Sequence, residues 1–177
     1  MTVLAALGAV LALVSGCGSD SPGKPDPSPT GASSSASTIP AQHHLVRFAD
    51  ANGEGGVVLE SPADTSKLDG VPEEFKAFIA AELLKQQTAS GTAMTDCHPK
   101  DQLIVDVIDP AGHAAGRVEF AACTGARLYW AKVDGKWRKV LGGQVYPQCD
   151  AFKQYGFPVS VAGDKCSKGT EIVAYSA

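Results

Sequence analysis

The stretch Leu128-Tyr129-Trp130-Ala131-Lys132-Val133-Asp134-Gly135-Lys136-Trp137-Arg138-Lys139-Val140-Leu141 decides the fold. Its two arms alternate in character with the two-residue period of a strand. Asp134-Gly135 between them suits a two-residue type I′ turn, whose central residues both need positive φ. With that turn Lys132 opposes Trp137, Trp130 opposes Lys139 and Leu128 opposes Leu141. Those six share one face, and Tyr129, Ala131, Arg138 and Val140 share the other.

Working outward, the other segments read as further strands. Leu103 to Ile108 reads as a strand, with Leu103, Val105 and Val107 on one side and Ile104, Asp106 and Ile108 on the other. Asp109-Pro110-Ala111-Gly112 is turn chemistry. Arg117 to Cys123 then returns, with Val118, Phe120 and Ala122 as its apolar side. Glu171 to Tyr175 supplies a last strand. Upstream, Gly56 to Glu60 is a short strand entering a turn at Ser61-Pro62-Ala63-Asp64.

Between these strands lies one helix, from Gly70-Val71-Pro72-Glu73-Glu74 to about Gln87. Proline suits the first helical position, and two carboxylates sit near the positive end of the dipole. Val71, Phe75, Phe78, Ile79 and Leu83 form one apolar stripe at the helical period, with Lys76, Lys85 and Gln86 on the polar side. A helix followed by antiparallel hairpins gives α+β: one helix packed on a curved antiparallel sheet, stabilised by disulfides.

The N-terminal segment has a different character. Val3-Leu4-Ala5-Ala6-Leu7 and Val10-Leu11-Ala12-Leu13-Val14 form an apolar run too short for a bilayer span, which needs roughly 20 residues. It ends in Val14-Ser15-Gly16-Cys17, which resembles the lipobox of bacterial lipoproteins. That resemblance, over the first tenth of the chain, implies cleavage before Cys17 and a diacylglycerol on its thiol. Charged residues are absent before Asp20, so either the translation start lies further upstream, the favoured expectation, or the product is exported inefficiently.

Residues 1–16 are thus expected to be a lipoprotein signal peptide. Residues 17–42 hold the lipidated cysteine and a Ser/Pro/Gly tether, and 43–177 form a single α+β domain. The tether contains too little apolar surface to offset its ordering entropy and should be disordered. Its mean span is on the order of 25–30 Å.

The chain has 5 cysteines. With Cys17 acylated, Cys97, Cys123, Cys149 and Cys166 remain as an even set for an oxidising compartment. Zinc is disfavoured, because no two of them are closely spaced as in a Cys-x-x-Cys pair. Sequence order alone allows three pairings. Hairpin geometry favours Cys97 with Cys123 and Cys149 with Cys166, since the first hairpin returns both ends to one level.

The net charge is −4 and no Lys/Arg stripe stands out, which argues against a nucleic-acid partner. Tyr129 to Trp137 is similar to hairpins of cystatin-like and NTF2-like modules, where a curved sheet wraps a helix. The whole chain also resembles small lipoproteins of actinobacteria. Neither resemblance implies an active-site pattern or a cofactor.

Candidates for chemistry are few. Cys97-His98 invites a nucleophile reading, against which a bridged Cys97 is the plainer one. His113 with Asp109 and Asp106 has metal-ligand residue types, but a solvated turn histidine is commoner. His43-His44 sits at the mouth of the tether and is expected to be solvated. Gly53-Glu54-Gly55-Gly56 lacks the Gly-Lys-Ser/Thr ending of a phosphate loop. Trp130 and Trp137 are possible ligand contacts, though hairpin aromatics are more often core.

The expected function is a lipid-anchored cell-envelope surface module at the extracytoplasmic side of the membrane. It would bind a protein, a cell-wall component or a small ligand without catalysis. One alternative is an envelope hydrolase using an acid pair from Asp106, Asp109, Glu119 and Asp150. Another is a protease inhibitor presenting the loop from Gly142 to Cys149.

Overall fold

Asp134 and Gly135 adopt φ of 53° and 73°, as the type I′ turn requires, and tip the hairpin on which the rest is built. The computed structural model describes residues 44–49, 54–90 and 99–177. The signal segment, Cys17, the tether, His43, Gly53, Cys97 and His98 lie outside the described residues. In chain order come β1 (Val46–Arg47), β2 (Val57–Leu59), a 3-10 helix (Pro62–Lys67) and α1 (Glu73–Ser90). The strands β3 (Gln102–Asp109), β4 (His113–Phe120), β5 (Thr124–Val133) and β6 (Lys136–Gly143) form a meander. Then follow α2 (Cys149–Gln154), α3 (Val159–Ala162), β7 (Lys165–Lys168) and β8 (Glu171–Ala174).

The architecture is α+β. An antiparallel sheet runs β1-β3-β4-β5-β6 with β2 also paired to β3, and β7-β8 forms a separate hairpin. One face of the large sheet meets α1. Phe75, Ile79 and Leu83 bury against Leu103, Val105, Val118, Leu128, Trp130 and Trp137. Phe75 is the hub, with its ring 4.7 Å from Trp137 and 6.0 Å from Trp130, both edge-on. Such pairs add about 0.5–1.5 kcal/mol beyond the area they bury.

The opposite face has its own core. Val107, Ala115, Tyr129 and Ala131 pack against Phe152, Phe157, Val161 and Tyr175. Two short helices therefore lie on this face in addition to the single expected one. Cys149 and Cys166 form a disulfide that fastens the start of α2 to β7. Cys123 is also disulfide-bonded, while its expected partner Cys97 lies outside the described residues.

Two bulges correct the expected faces. In β3, Val105 pairs with Gly116 and Val107 with Ala115, leaving Asp106 without an opposite residue. Its carbonyl instead accepts from the N–H groups of Phe48 and Ala49, at 2.8 and 3.0 Å. Past that point the alternation flips: Val107 joins the second core and Ile108 the helix-side core.

In β6 the register shifts beside Tyr129 and Trp130. Lys132 opposes Trp137 and Trp130 opposes Lys139, as the turn dictates, but Leu128 faces Gly142 and Tyr129 faces Leu141. Val140 is the extra residue, so Leu128 and Leu141 lie on opposite faces. A bulge inserts one residue and exchanges the faces beyond it.

The first return strand also begins earlier and ends sooner than Arg117 to Cys123. Gly112 N–H donates to the Asp109 carbonyl at 2.9 Å, closing a turn tight enough for pairing to resume at His113. Ala114 to Gly116 is weak β-former sequence, yet neighbours on both sides hold it as strand. Ala122 is exposed in the turn to β5, where Cys123 takes φ of 61°.

Candidate functional site

The Asp106 bulge positions a charged cleft. Beyond the cover of α2, α3 and β7-β8, the second face carries Arg117 and Glu119 from β4 and Arg127 from β5. A cleft of about 490 Å³ opens there, lined by Asp106, Arg117, Glu119, Thr124, Arg127 and Gln144 among others.

Arg117 organises it. Its Nη1 donates to Asp106 Oδ1 at 2.6 Å and its Nη2 to the Gly55 carbonyl at 2.8 Å. Its Nε lies 3.6 Å from Glu119 Oε1. Gly55 and Gly56 adopt φ of 88° and 86° to bring this backbone over β3. A Cβ at Gly56 would stand 2.6 Å from both Asp106 Oδ1 and Ile104 Cγ2, so glycine is required for the approach. Burial raises the pKa of Asp106, opposed by the attraction and hydrogen bond of Arg117.

Arg127 pairs directly with Arg117 across β4 and β5. Its guanidinium carbon lies over the Tyr146 ring, 5.3 Å from the centroid. Tyr129 reaches the same neighbourhood from below: burial raises its pKa, and the nearby Arg127 charge acts against that rise.

The expected site residues scatter otherwise. Trp130 and Trp137 are 0% and 7% exposed in the helix-side core, so neither lines the cleft. Their indole N–H groups find no hydrogen-bond partner among the described residues. His113 is no solvated turn residue. It sits in β4 with Nε2 2.9 Å from the Tyr155 carbonyl and its ring 5.0 Å from that of Phe157.

Asp109 caps its own turn, its carboxylate accepting from the Ala111 N–H at 2.9 Å. Asp150 is exposed on α2. Of the four candidate acids, the cleft gathers Asp106 and Glu119. Among the described residues no group of three or more His, Cys, Asp or Glu side chains is placed to hold a metal ion. None of the described helices is long and apolar enough to cross a membrane.

The loop from Gly142 to Cys149 is partly tied down. The Pro147 carbonyl accepts from Ser167 N–H at 2.9 Å, and the Tyr146 carbonyl from Ser167 Oγ at 2.8 Å. Val145 is left 78% exposed. Neither Arg117 nor Arg127 stands out as a site residue in the sequence alone. Their signal was present: two arginines interrupt apolar strands at residues that share a face with Glu119.

Comparison with protein-family models, curated proteins and solved structures finds no match.

Proposed function

We propose that the chain is a lipid-anchored cell-envelope module, acylated at Cys17, whose folded domain binds a ligand in the Arg117 cleft. The proposal includes the likeness to cystatin-like and NTF2-like modules, in which a curved sheet wraps a helix. The observation that carries the binding reading is the engagement of both cleft carboxylates by one guanidinium. Asp106 and Glu119 lie 2.6 and 3.6 Å from Arg117. Such an ion-paired floor favours recognition of a polar ligand over proton transfer.

The anchor rests on the Val14-Ser15-Gly16-Cys17 motif and on the even set of cysteines that remains without Cys17. A buried acyl chain adds about 0.8 kcal/mol per methylene, so two chains suffice to anchor the protein stably. Replacing Cys17 by Ser should move the protein from the detergent phase to the aqueous phase or leave uncut precursor. Unchanged partitioning contradicts the anchor.

One observation favours hydrolysis as a second reading. Asp106 and Glu119 share the cleft as a pair of acids on one face, and burial raises the pKa of Asp106 against the pull of Arg117. An activity that survives both Asp106→Asn and Glu119→Gln would remove that reading.

A further inference from the structure

We infer that the cleft recognises its ligand through a single carboxylate, held by the guanidinium of Arg127. The inference rests on the binding reading above and names the chemistry of the same site.

Arg117 and Arg127 are directly opposite each other on neighbouring antiparallel strands. Like charges in that relation repel, and folding tolerates them only with compensation nearby. Arg117 has it: Asp106 and the Gly55 carbonyl accept hydrogen bonds from it, and Glu119 lies at ion-pair distance. Arg127 forms no ion pair among the described residues; its side chain hydrogen-bonds that of Tyr129, its charge acts on Asp106, and it is exposed at the cleft. Of the two guanidiniums it is the more exposed, and so the one that an incoming anion can reach.

Its geometry suits a planar anion. The guanidinium lies over the Tyr146 ring, 5.3 Å from its centroid, and hydrogen-bonds the Tyr129 side chain; these two contacts restrain it while the residue stays exposed at the cleft. A fork held in this way loses less freedom on binding, and it matches a carboxylate with two parallel N–H···O bonds.

Charge balance then selects the anion. Arg117 and Arg127 offset Asp106 and Glu119, so a monoanion leaves the site with one net negative charge and a phosphate dianion with two. The two carboxylates therefore weigh against phosphate. The volume of about 490 Å³ fits a small molecule or the end of a short peptide.

The test titrates the full chain, in detergent micelles, with N-acetyl-alanyl-alanine, its C-terminal carboxamide and inorganic phosphate. NMR follows the Arg127 Nε–Hε signal and the Thr124 and Gln144 amides. The acid should shift these saturably, and the carboxamide should bind about tenfold more weakly or worse, the worth of a charge-assisted bond. Arg127→Gln should lose the same factor, and Arg127→Lys should fall between, keeping charge without the fork.

Equal binding of acid and carboxamide would overturn the carboxylate assignment while leaving the cleft a binding site. Phosphate binding as tightly as the acid would overturn the monoanion argument. No shift with any probe up to about 50 mM would overturn the inference altogether.

Discussion

Arg117 and Asp106 meet at 2.6 Å where the β3 bulge turns the aspartate toward β4. Both side chains are partly shielded, at 29% and 21% exposure. The pair is therefore worth more than a surface ion pair, and breaking it leaves a carboxylate stranded.

Arg117→Met should destabilise the domain by about 1–3 kcal/mol, the cost of an unpaired polar group in partial burial. Asp106→Asn in the same background should restore part of that loss. Urea unfolding of the two single variants and the double variant measures the coupling. Additive effects would show that the pair contributes nothing.

The pH dependence follows from the raised pKa of Asp106. A carboxyl whose folded pKa exceeds its unfolded value binds more protons when folded. Its contribution therefore favours folding at low pH and is lost as pH rises from the unfolded value, 3.8, through the folded one. Without Arg117 the burial penalty is opposed only by the charge of Arg127. Arg117→Met should thus lose most stability near neutral pH and approach wild type as pH falls below the Asp106 pKa. Denaturation midpoints across that range check the sign.

Gly116 lies beneath the Trp130 indole. A Cβ there would stand 2.1 Å from the Ile104 carbonyl and 3.0 Å from the ring. Gly116→Ala should cost about 1–3 kcal/mol through overpacking. Gly135→Ala meets nothing within 4 Å but must hold φ of 73°, so it should cost about 1 kcal/mol from backbone strain alone. Thermal unfolding of both variants should rank Gly116→Ala as the worse.

Cys149 and Cys166 are 17 residues apart, and their bridge holds α2 and β7 over the second core. Replacing both with alanine should cost roughly 3 kcal/mol in the chain-entropy estimate. Hydrogen exchange should quicken in α2, β7 and β8 before it does in α1. Uniform quickening would place the bridge's contribution in the whole domain.

The hairpin turn, the helix and its stripe were legible because each depends on local chemistry. Asp134-Gly135 satisfies its own φ requirement, and Phe75, Ile79 and Leu83 repeat at a period only a helix makes useful. The bulges were not legible. Nothing in Val105-Asp106-Val107 marks Asp106 as unpaired until the N–H groups of Phe48 and Ala49 reach its carbonyl, and nothing near Val140 announces the slip that parts Leu128 from Leu141.

The cleft was half legible for the same reason. Asp106 and Glu119 were visible as acids, but only the bulge and the strand register bring them together on Arg117 and set Arg127 opposite it. The tryptophans misled because hairpin aromatics suit a core and a pocket equally. The helix that covers them decides between the two.

The most direct test of the binding account is a crystallographic fragment screen of the protein. Bound fragments should concentrate in the cleft, against Arg117, Thr124, Arg127 and Gln144. Fragments that leave this cleft empty and gather on the exposed Val145 and Ile172 would contradict it.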